Sequence, residues 1–146
     1  MRRALLLSLS FLLAAPVSSA FAQAEPPHAW LFGTWTGGLF PPPSNMTTQA
    51  CFSQPVAIFT RDLVMRATLT DQTLVQRVIE SARAVPGGAD FRFAAAAATP
   101  GLFGTPMAQT GFGCPSPDEL VVQKRGENTI TFPGCTDFPY PLVRCH

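Results

Sequence analysis

Both tryptophans of the chain fall within eleven residues, Trp30-Leu31-Phe32-Gly33-Thr34-Trp35-Thr36-Gly37-Gly38-Leu39-Phe40. The stretch combines aromatic and β-branched residues with three glycines, which favours a strand that bends or approaches another backbone closely. Three prolines, at 41–43, follow directly and would end the strand, because proline has no N–H to donate to a ladder. We therefore expect residues 30–40 to form the first strand of a β-structure.

The residues before this strand have the organisation of a secretory signal peptide. Met1-Arg2-Arg3 is a basic start, residues 4–15 are almost entirely apolar, and Ala20-Phe21-Ala22 fits the A-x-A cleavage pattern. The apolar run is shorter than the roughly 20 residues of a membrane-spanning helix, and we predict no membrane span. The predicted division is a cleaved signal peptide (1–22), a flexible arm (23–29) and a single β-rich domain (30–146).

Cleavage after residue 22 would leave 124 of the 146 residues, enough for one domain with its own core. We expect an exported protein, periplasmic or extracellular, and the alanine-rich leader is typical of a bacterial source. Loss of Arg2 and Arg3 would change the formal charge from +1 to −1. So small a net charge gives no reason to expect nucleic acid as a partner.

All four cysteines follow the predicted cleavage site, at Cys51, Cys114, Cys135 and Cys145. An even number in an exported chain favours two disulfide bonds. The spacings include no C-x-x-C pair and only two histidines follow the site, which argues against zinc, so we predict neither a metal nor a cofactor.

A β-hairpin is predicted at 120–123 and 129–132, two β-branched stretches on either side of a glycine-containing turn. If Gly126-Glu127 are the two turn residues, Asp118 lies opposite Cys135. Cysteine 114 then lies just beyond the open end of the hairpin.

This geometry favours one of the three possible disulfide pairings. Cys114 would pair with Cys135, and Cys51 with Cys145, which would fix the proline-rich tail along an edge of the structure. A bridge between Cys135 and Cys145 is the main alternative.

Two further segments carry strand patterns. Residues 56–60 are mostly β-branched or aromatic, and residues 63–70 alternate between an apolar face and a more polar face. The apolar face comprises Leu63, Met65, Ala67 and Leu69; the other comprises Val64, Arg66, Thr68 and Thr70. Such alternation predicts a half-buried strand.

Residues 72–84 are predicted to form a helix. Apolar residues recur there at helical spacing, namely Leu74, Val75, Val78, Ile79 and Ala82. Asp71 is a suitable N-cap, and Gly87-Gly88 would stop the helix. A strand is the alternative, because residues 85–89 could also turn the chain into a strand at 90–93.

Aromatic residues are the clearest candidates for a binding site. The side chains that could line a cavity for a small apolar ligand are Trp35, Phe59, Phe91, Phe93, Phe103 and Phe112. Residues 99–113 are rich in glycine, proline and threonine and are predicted to form a long surface loop, whose apolar side chains either tuck beneath it or line an entrance. The alternative for the whole set is an ordinary core.

No catalytic arrangement is visible. Nucleophilic catalysis needs a base beside the nucleophile, whereas His28 lies in the predicted arm and His146 is the last residue. The acidic residues fall mostly at predicted turns or polar faces. We therefore expect no enzymatic activity and assign no catalytic residue.

The stretch Gly33-Thr34-Trp35, on a first strand, resembles the G-x-W signature of the lipocalin-like (calycin) barrels. The resemblance implies a small antiparallel barrel in which the tryptophan closes one end. In that family an arginine from near the last strand packs over this tryptophan. Arg144 is the matching residue here, and the contact would be a cation–π interaction.

These observations together predict a mainly β protein, a small antiparallel barrel or compact sandwich joined by two disulfides, with a helix over 72–84. The expected function is that of an exported, non-enzymatic binding module for a small apolar ligand. The alternative is a protein-binding module with a solid core, such as a protease inhibitor or an envelope assembly factor. The sequence leaves the oligomeric state open.

Overall fold

The computed structural model describes residues 24–41, 51, 55–69, 74–95, 99–100, 106–107 and 111–145, with the backbone alone at 99–100 and 106–107. The predicted signal peptide and Phe103 lie outside these residues. Within them a 3₁₀ turn at Ala29–Leu31 precedes ten strands: β1 (Gly33–Gly37), β2 (Val56–Phe59), β3 (Leu63–Ala67), β4 (Val75–Val85), β5 (Gly88–Phe93), β6 (Thr99–Pro100), β7 (Pro106–Met107), β8 (Glu119–Gly126), β9 (Thr129–Thr131) and β10 (Leu142–Arg144).

Eight of these strands form a closed antiparallel barrel in the order β1-β10-β9-β8-β5-β4-β3-β2. The prediction of a mainly β fold is confirmed, and the barrel rather than the sandwich is the form found. Strands β6 and β7 pair only with each other, with Thr99 opposite Met107, within the segment predicted as a loop. Closure gives each of the eight strands a neighbour on both sides along at least part of its length.

Strand β1 joins the first and last parts of the barrel. It pairs on one side with β2, where Trp35 is opposite Ala57, and on the other with β10, where Trp35 is opposite Arg144. The strand is shorter than the predicted 30–40, because residues 29–31 form the 3₁₀ turn. Trp35 of the G-x-W stretch therefore has a register partner in both neighbouring strands.

The predicted arm at 23–29 is anchored at its carboxyl end, where the prediction of flexibility needs correction. The His28 side chain is buried, and its Nε2 lies 3.1 Å from the carbonyl oxygen of Thr60. Its ring also meets the rings of Phe32 and Phe91 edge-on. Residue 28 thus belongs to the packed domain.

The predicted helix over 72–84 is wrong: residues 75–85 form the longest strand, β4, and the alternative hairpin into β5 is present. The predicted apolar stripe is divided between the two faces: Val78 is 53% exposed while its neighbour Arg77 is 2% exposed, and Ile79 and Ala82 pack against the core. Arg77 thus lies inside the barrel and Val78 outside. This reversal of the usual polarity gives the apolar residues of the strand a spacing that resembles that of a helix.

Strand β3 lies within the predicted 63–70 but is shorter, at Leu63–Ala67, and its faces are reversed from what its polarity suggests. The inward residues include Val64 and Arg66, which are buried, whereas Leu63 and Met65 on the apolar face are only partly buried. A buried arginine explains the reversal, because Arg66 forms an ion pair with Asp137, a residue far away in sequence.

The hairpin of β8 and β9 is confirmed, with a register one residue different from the predicted one. Gln123 is opposite Thr131, and the turn residues are Glu127-Asn128, because the register shifts between Lys124 and Gly126. A β-bulge of this kind adds one residue to one strand and moves every pair beyond it.

Both disulfide bonds have the preferred pairing, Cys114 with Cys135 and Cys51 with Cys145. The Cys114–Cys135 bridge forms although the predicted register differs by one residue, because the open end of the hairpin still brings the two segments together. There the Thr136 N–H donates to the carbonyl of Gly113.

The register defines two ends of the barrel. At the Trp35 end lie the turns at 60–62, 86–87 and 127–128 together with the 3₁₀ turn. At the opposite end, which we call the Cys114–Cys135 end, lie the connections that lead from β5 to β8 and from β9 to β10. The core fills the space between these two ends.

Candidate functional site

A tryptophan and an arginine meet at the Trp35 end. The Trp35 side chain is fully buried, and its Nε1–H donates a 2.7 Å hydrogen bond to the carbonyl of Leu31. The Arg144 guanidinium carbon lies 4.3 Å from the Trp35 ring centroid. The contact that the resemblance implies is therefore present, while its role in ligand binding or barrel closure stays a prediction.

The same guanidinium also holds the chain in front of β1. Its Nη1 donates to the carbonyl of Phe32 at 2.7 Å, and its Nη2 donates to the carbonyl of Trp30 at 2.5 Å. These bonds satisfy two carbonyls beside the 3₁₀ turn and orient the guanidinium flat over the indole. A planar group with several donors suits this double task better than the point charge of a lysine.

Gly33 has a structural reason to be glycine. Its φ is +117°, in a region that side-chain-bearing residues rarely adopt, and a Cβ there would lie 3.4 Å from Nη1 of Arg144. The first residue of the G-x-W stretch thus allows the backbone to bend beneath the arginine. The three residues Gly33, Trp35 and Arg144 form one local unit.

Five of the six predicted ligand-binding residues lie inside the barrel and belong to one buried cluster: Trp35, Phe59, Phe91, Phe93 and Phe112. The sixth, Phe103, lies outside the described residues. The sequence leaves two positions open for Phe112, beneath its loop or lining an entrance. The side chain is 1% exposed and lies in the core.

The phenyl rings contact one another in a closed circuit. Successive centroids of Phe59, Phe91, Phe93, Phe112 and Phe132 are 5.7, 6.3, 5.8 and 5.8 Å apart, and Phe132 returns to Phe59 at 6.2 Å. These are the separations of packed aromatic pairs. Each ring of the circuit therefore packs against two others of the same set.

Phe132, a member of this circuit, and Phe138, which contacts it, were not among the predicted ligand-binding residues. Phe132 ends the predicted hairpin, and Phe138 lies in the proline-rich tail, yet both are buried and their centroids are 5.4 Å apart. The inward alternation of β9, with Ile130 buried, is the signal that identifies Phe132. No comparable periodicity marks Phe138.

Arg77 is the second feature that the sequence did not indicate. It donates to the carbonyls of Pro117 and Ala94, at 2.7 and 3.2 Å, and to the Asp118 carboxylate. Its guanidinium carbon also lies 5.2 Å from the Phe93 centroid. One side chain thus ties β4 to the segments on both sides of the β5–β8 connection.

A second buried arginine, Arg66, lies on the neighbouring strand, with Nη1 3.3 Å from Asp137. Both carboxylates of these ion pairs are partly exposed, at 45% for Asp118 and 28% for Asp137, so each pair reaches from the interior to the surface. The arrangement suits a structural closure of the Cys114–Cys135 end. It contains no nucleophile beside a base.

The outer surface carries the remaining apolar side chains and shallow depressions. Among the residues that the structure describes, the exposed large apolar ones are Phe40, Leu69, Leu74, Val78, Val121 and Tyr140. One depression of about 300 Å³ on the outer face of β4, β5 and β8 is lined largely by charged residues, among them Arg83, Asp90 and Arg92.

Within the described part of the chain no group of three or more His, Cys, Asp or Glu side chains is arranged to hold a metal ion. The described residues also include no helix long and apolar enough to cross a membrane. Comparisons of the chain with models of known protein families, with curated proteins and with solved structures found no match.

Proposed function

We propose that this chain is an exported, non-enzymatic binding module that engages a protein partner through its outer surface. The observation that carries the proposal is the circuit of phenyl rings in the interior. Because the rings contact one another, the interior supports the stability of the barrel, and recognition falls to the outside.

Two further features support this function. The disulfides Cys51–Cys145 and Cys114–Cys135 suit an exported protein and fix segments on both sides of the barrel. A rigid surface loses little conformational entropy when a partner binds, which favours affinity. Exposed apolar residues at several positions of the surface provide contact area of the kind that interfaces use.

Site-specific photo-crosslinking in the exported protein tests the proposal. A benzophenone amino acid would be placed singly at Tyr140, Val121 and Val78, which are exposed, in cells that export the chain. We expect the sites on the side that binds the partner to crosslink to one protein of defined mass. Sites on another side act as the matched controls and should give no crosslinked product.

The competing function, carriage of a small apolar ligand, would use the same rings as a pocket lining. Native mass spectrometry of the exported chain distinguishes the two. A bare mass, with both disulfides formed, is expected. Failure of every surface site to crosslink, together with a bound mass of a few hundred daltons released on unfolding, would reject the proposal.

Variants that create a cavity test whether the interior of the unaltered protein already contains a pocket. Phe59→Ala and Phe91→Ala should each destabilise the barrel by about 3–5 kcal/mol and leave an apolar cavity able to take up benzene or xenon. The unaltered protein should show no such uptake, measured by the shift in melting temperature with benzene. Equal uptake by the unaltered protein would indicate an existing pocket.

A further inference from the structure

Strand β4 extends beyond the strand that pairs with it on one side. Its residues 75–78 pair with β3, whereas its residues 79–85 continue along β5. The last bond on the β3 side is donated by Ile79 N–H to the carbonyl of Asp62. Beyond it, no described residue pairs with β4 from this side. We call residues 80–85 the open edge.

Two hydrogen bonds determine which backbone groups of β5 face which neighbour. Phe93 N–H donates to the carbonyl of Asp118, and Lys124 N–H donates to the carbonyl of Gly87. The Phe93 N–H and the Gly87 carbonyl thus both point toward β8. Because bonding direction alternates along an antiparallel strand, the odd-numbered residues of β5 bond to β8.

The even-numbered residues of β5 therefore bond to β4, where their register partners are Val85, Arg83 and Ser81. The N–H and C=O groups of Ala82 and Ala84 point the other way, toward the open edge. Among the described residues, no backbone group bonds to them from that side. The open edge thus presents two donors and two acceptors in strand spacing.

Two alanines flank an arginine at the open edge. Ala82 and Ala84 are small, and between them Arg83 lies on the outer face and is exposed. The register places Asp90 opposite Arg83, yet within the described chain Arg83 forms no ion pair within 4 Å. Its positive charge therefore has no partner at the position where an added strand would lie.

We propose that the open edge binds an extended peptide segment of a partner protein as an additional strand, with an acidic side chain opposite Arg83. This inference rests on the proposed function and specifies its mode. Strand addition supplies affinity through main-chain hydrogen bonds and specificity through alternate side chains. The acidic residue would occupy a non-hydrogen-bonded pair, where facing side chains are closest.

A second copy of the chain fits this edge poorly. An antiparallel self-pairing that uses the groups of both Ala82 and Ala84 centres on residue 83, so Arg83 of one copy would face Arg83 of the other. Like charges directly opposite each other destabilise a strand pair. A peptide with a carboxylate at this position is the complementary occupant.

Titration with a defined peptide tests the proposal on the folded, oxidised chain. The probe is a capped five-residue peptide, Thr-Val-Glu-Val-Thr, and the readout is the ¹⁵N–¹H chemical shifts of Ala82 and Ala84. We expect shifts confined to the open edge and its neighbours on β5. The same peptide methylated at both valine nitrogens is the matched control, and it should bind at least severalfold more weakly.

Two variants assign the contacts. Ala84→Pro removes one edge donor, a change that edge strands tolerate, and should weaken binding by roughly two- to tenfold; Ala84→Val keeps the donor and should not. Arg83→Glu should weaken the glutamate peptide by roughly two- to fivefold and favour the peptide with a central lysine.

Several results would overturn the proposal. Equal binding by the methylated and unmethylated peptides, or self-association with a mass of two chains, would each do so. So would slow hydrogen exchange at Ala82 and Ala84 in the free protein, matching that of Arg83. If these tests fail while Tyr140 still crosslinks to a partner, the edge is the wrong surface and the proposed function stands.

Discussion

The guanidinium of Arg144 covers the Trp35 indole and holds two carbonyls of the chain in front of it. Each of these interactions alone is modest, but all three depend on one rigid, planar group in one orientation. A single side chain of the last strand therefore locks the first strand, at the seam where the barrel closes.

We predict that Arg144→Lys destabilises the protein by about 2–4 kcal/mol, because lysine loses the stacking and the paired donors. The free energy of unfolding in urea, followed by tryptophan fluorescence, measures the change. Arg92→Lys is the matched control: Arg92 is 66% exposed and should change stability by less than about 0.5 kcal/mol. Equal effects at the two sites would refute the role of Arg144.

Arg77 acts at the other end of the barrel. We predict that Arg77→Met destabilises the protein by about 3–5 kcal/mol, since the carbonyls of Ala94 and Pro117 and the carboxylate of Asp118 lose their donor. Arg83→Met, on the same strand but outside, should leave stability nearly unchanged. Thermal unfolding of both variants provides the comparison, and a shift of similar size in each would contradict the prediction.

At the scale of elements, β4 is the strand that the sequence pattern predicts least well. Its alternation is interrupted by a register shift between Ile79 and Ser81, and its inner face carries Arg77. Because strand prediction assumes apolar residues inside, an inward arginine beside an outward valine imitates a helical stripe. The partner that makes the burial acceptable, Asp118, is 41 residues away in sequence.

The position of β4 gives a direct test of which face is inside. Val78→Thr should change the free energy of unfolding by less than about 0.5 kcal/mol, because the new hydroxyl meets water. Val122→Thr, the same substitution at a fully buried position of β8, should destabilise by about 1–3 kcal/mol. Under the helical interpretation Val78 would lie in the core, and its substitution would then be the costly one.

Other features could be predicted because their determinants are local. The hairpin of β8 and β9 is visible from alternation and a glycine turn, and its open end is what favours the Cys114–Cys135 bridge. The contact of Arg144 with Trp35 follows from a resemblance carried by three residues. In contrast, Phe138 lies in a proline-rich tail without periodicity, and only the fold brings it against Phe112 and Phe132.

For the whole molecule, the two disulfides join segments at very different distances along the chain. Cys51 and Cys145 are 94 residues apart in sequence, and Cys114 and Cys135 are 21 apart. Loop-closure entropy in the unfolded chain grows with this separation. The longer bridge also connects to the strand that carries Arg144, so it supports the seam between β1 and β10.

We predict that removal of the longer bridge, by Cys51→Ser with Cys145→Ser, destabilises the protein by about 4–5 kcal/mol, and removal of the shorter one by about 3–4 kcal/mol. Both double variants would be unfolded in urea beside the oxidised parent. An equal or reversed order would show that native-state packing, rather than the restriction of the unfolded chain, governs the contribution of the bridges.

The pairing of β1 with β10 has a consequence for the order in which the barrel can form. When a chain emerges amino terminus first, β1 appears before every other strand, yet one of its two partners is the last strand of the barrel. Until residues 142–144 emerge, β1 and β9 each have an unsatisfied side, a state in which strands attract other chains. A fragment that ends before β10 should therefore accumulate as aggregate rather than as a smaller fold.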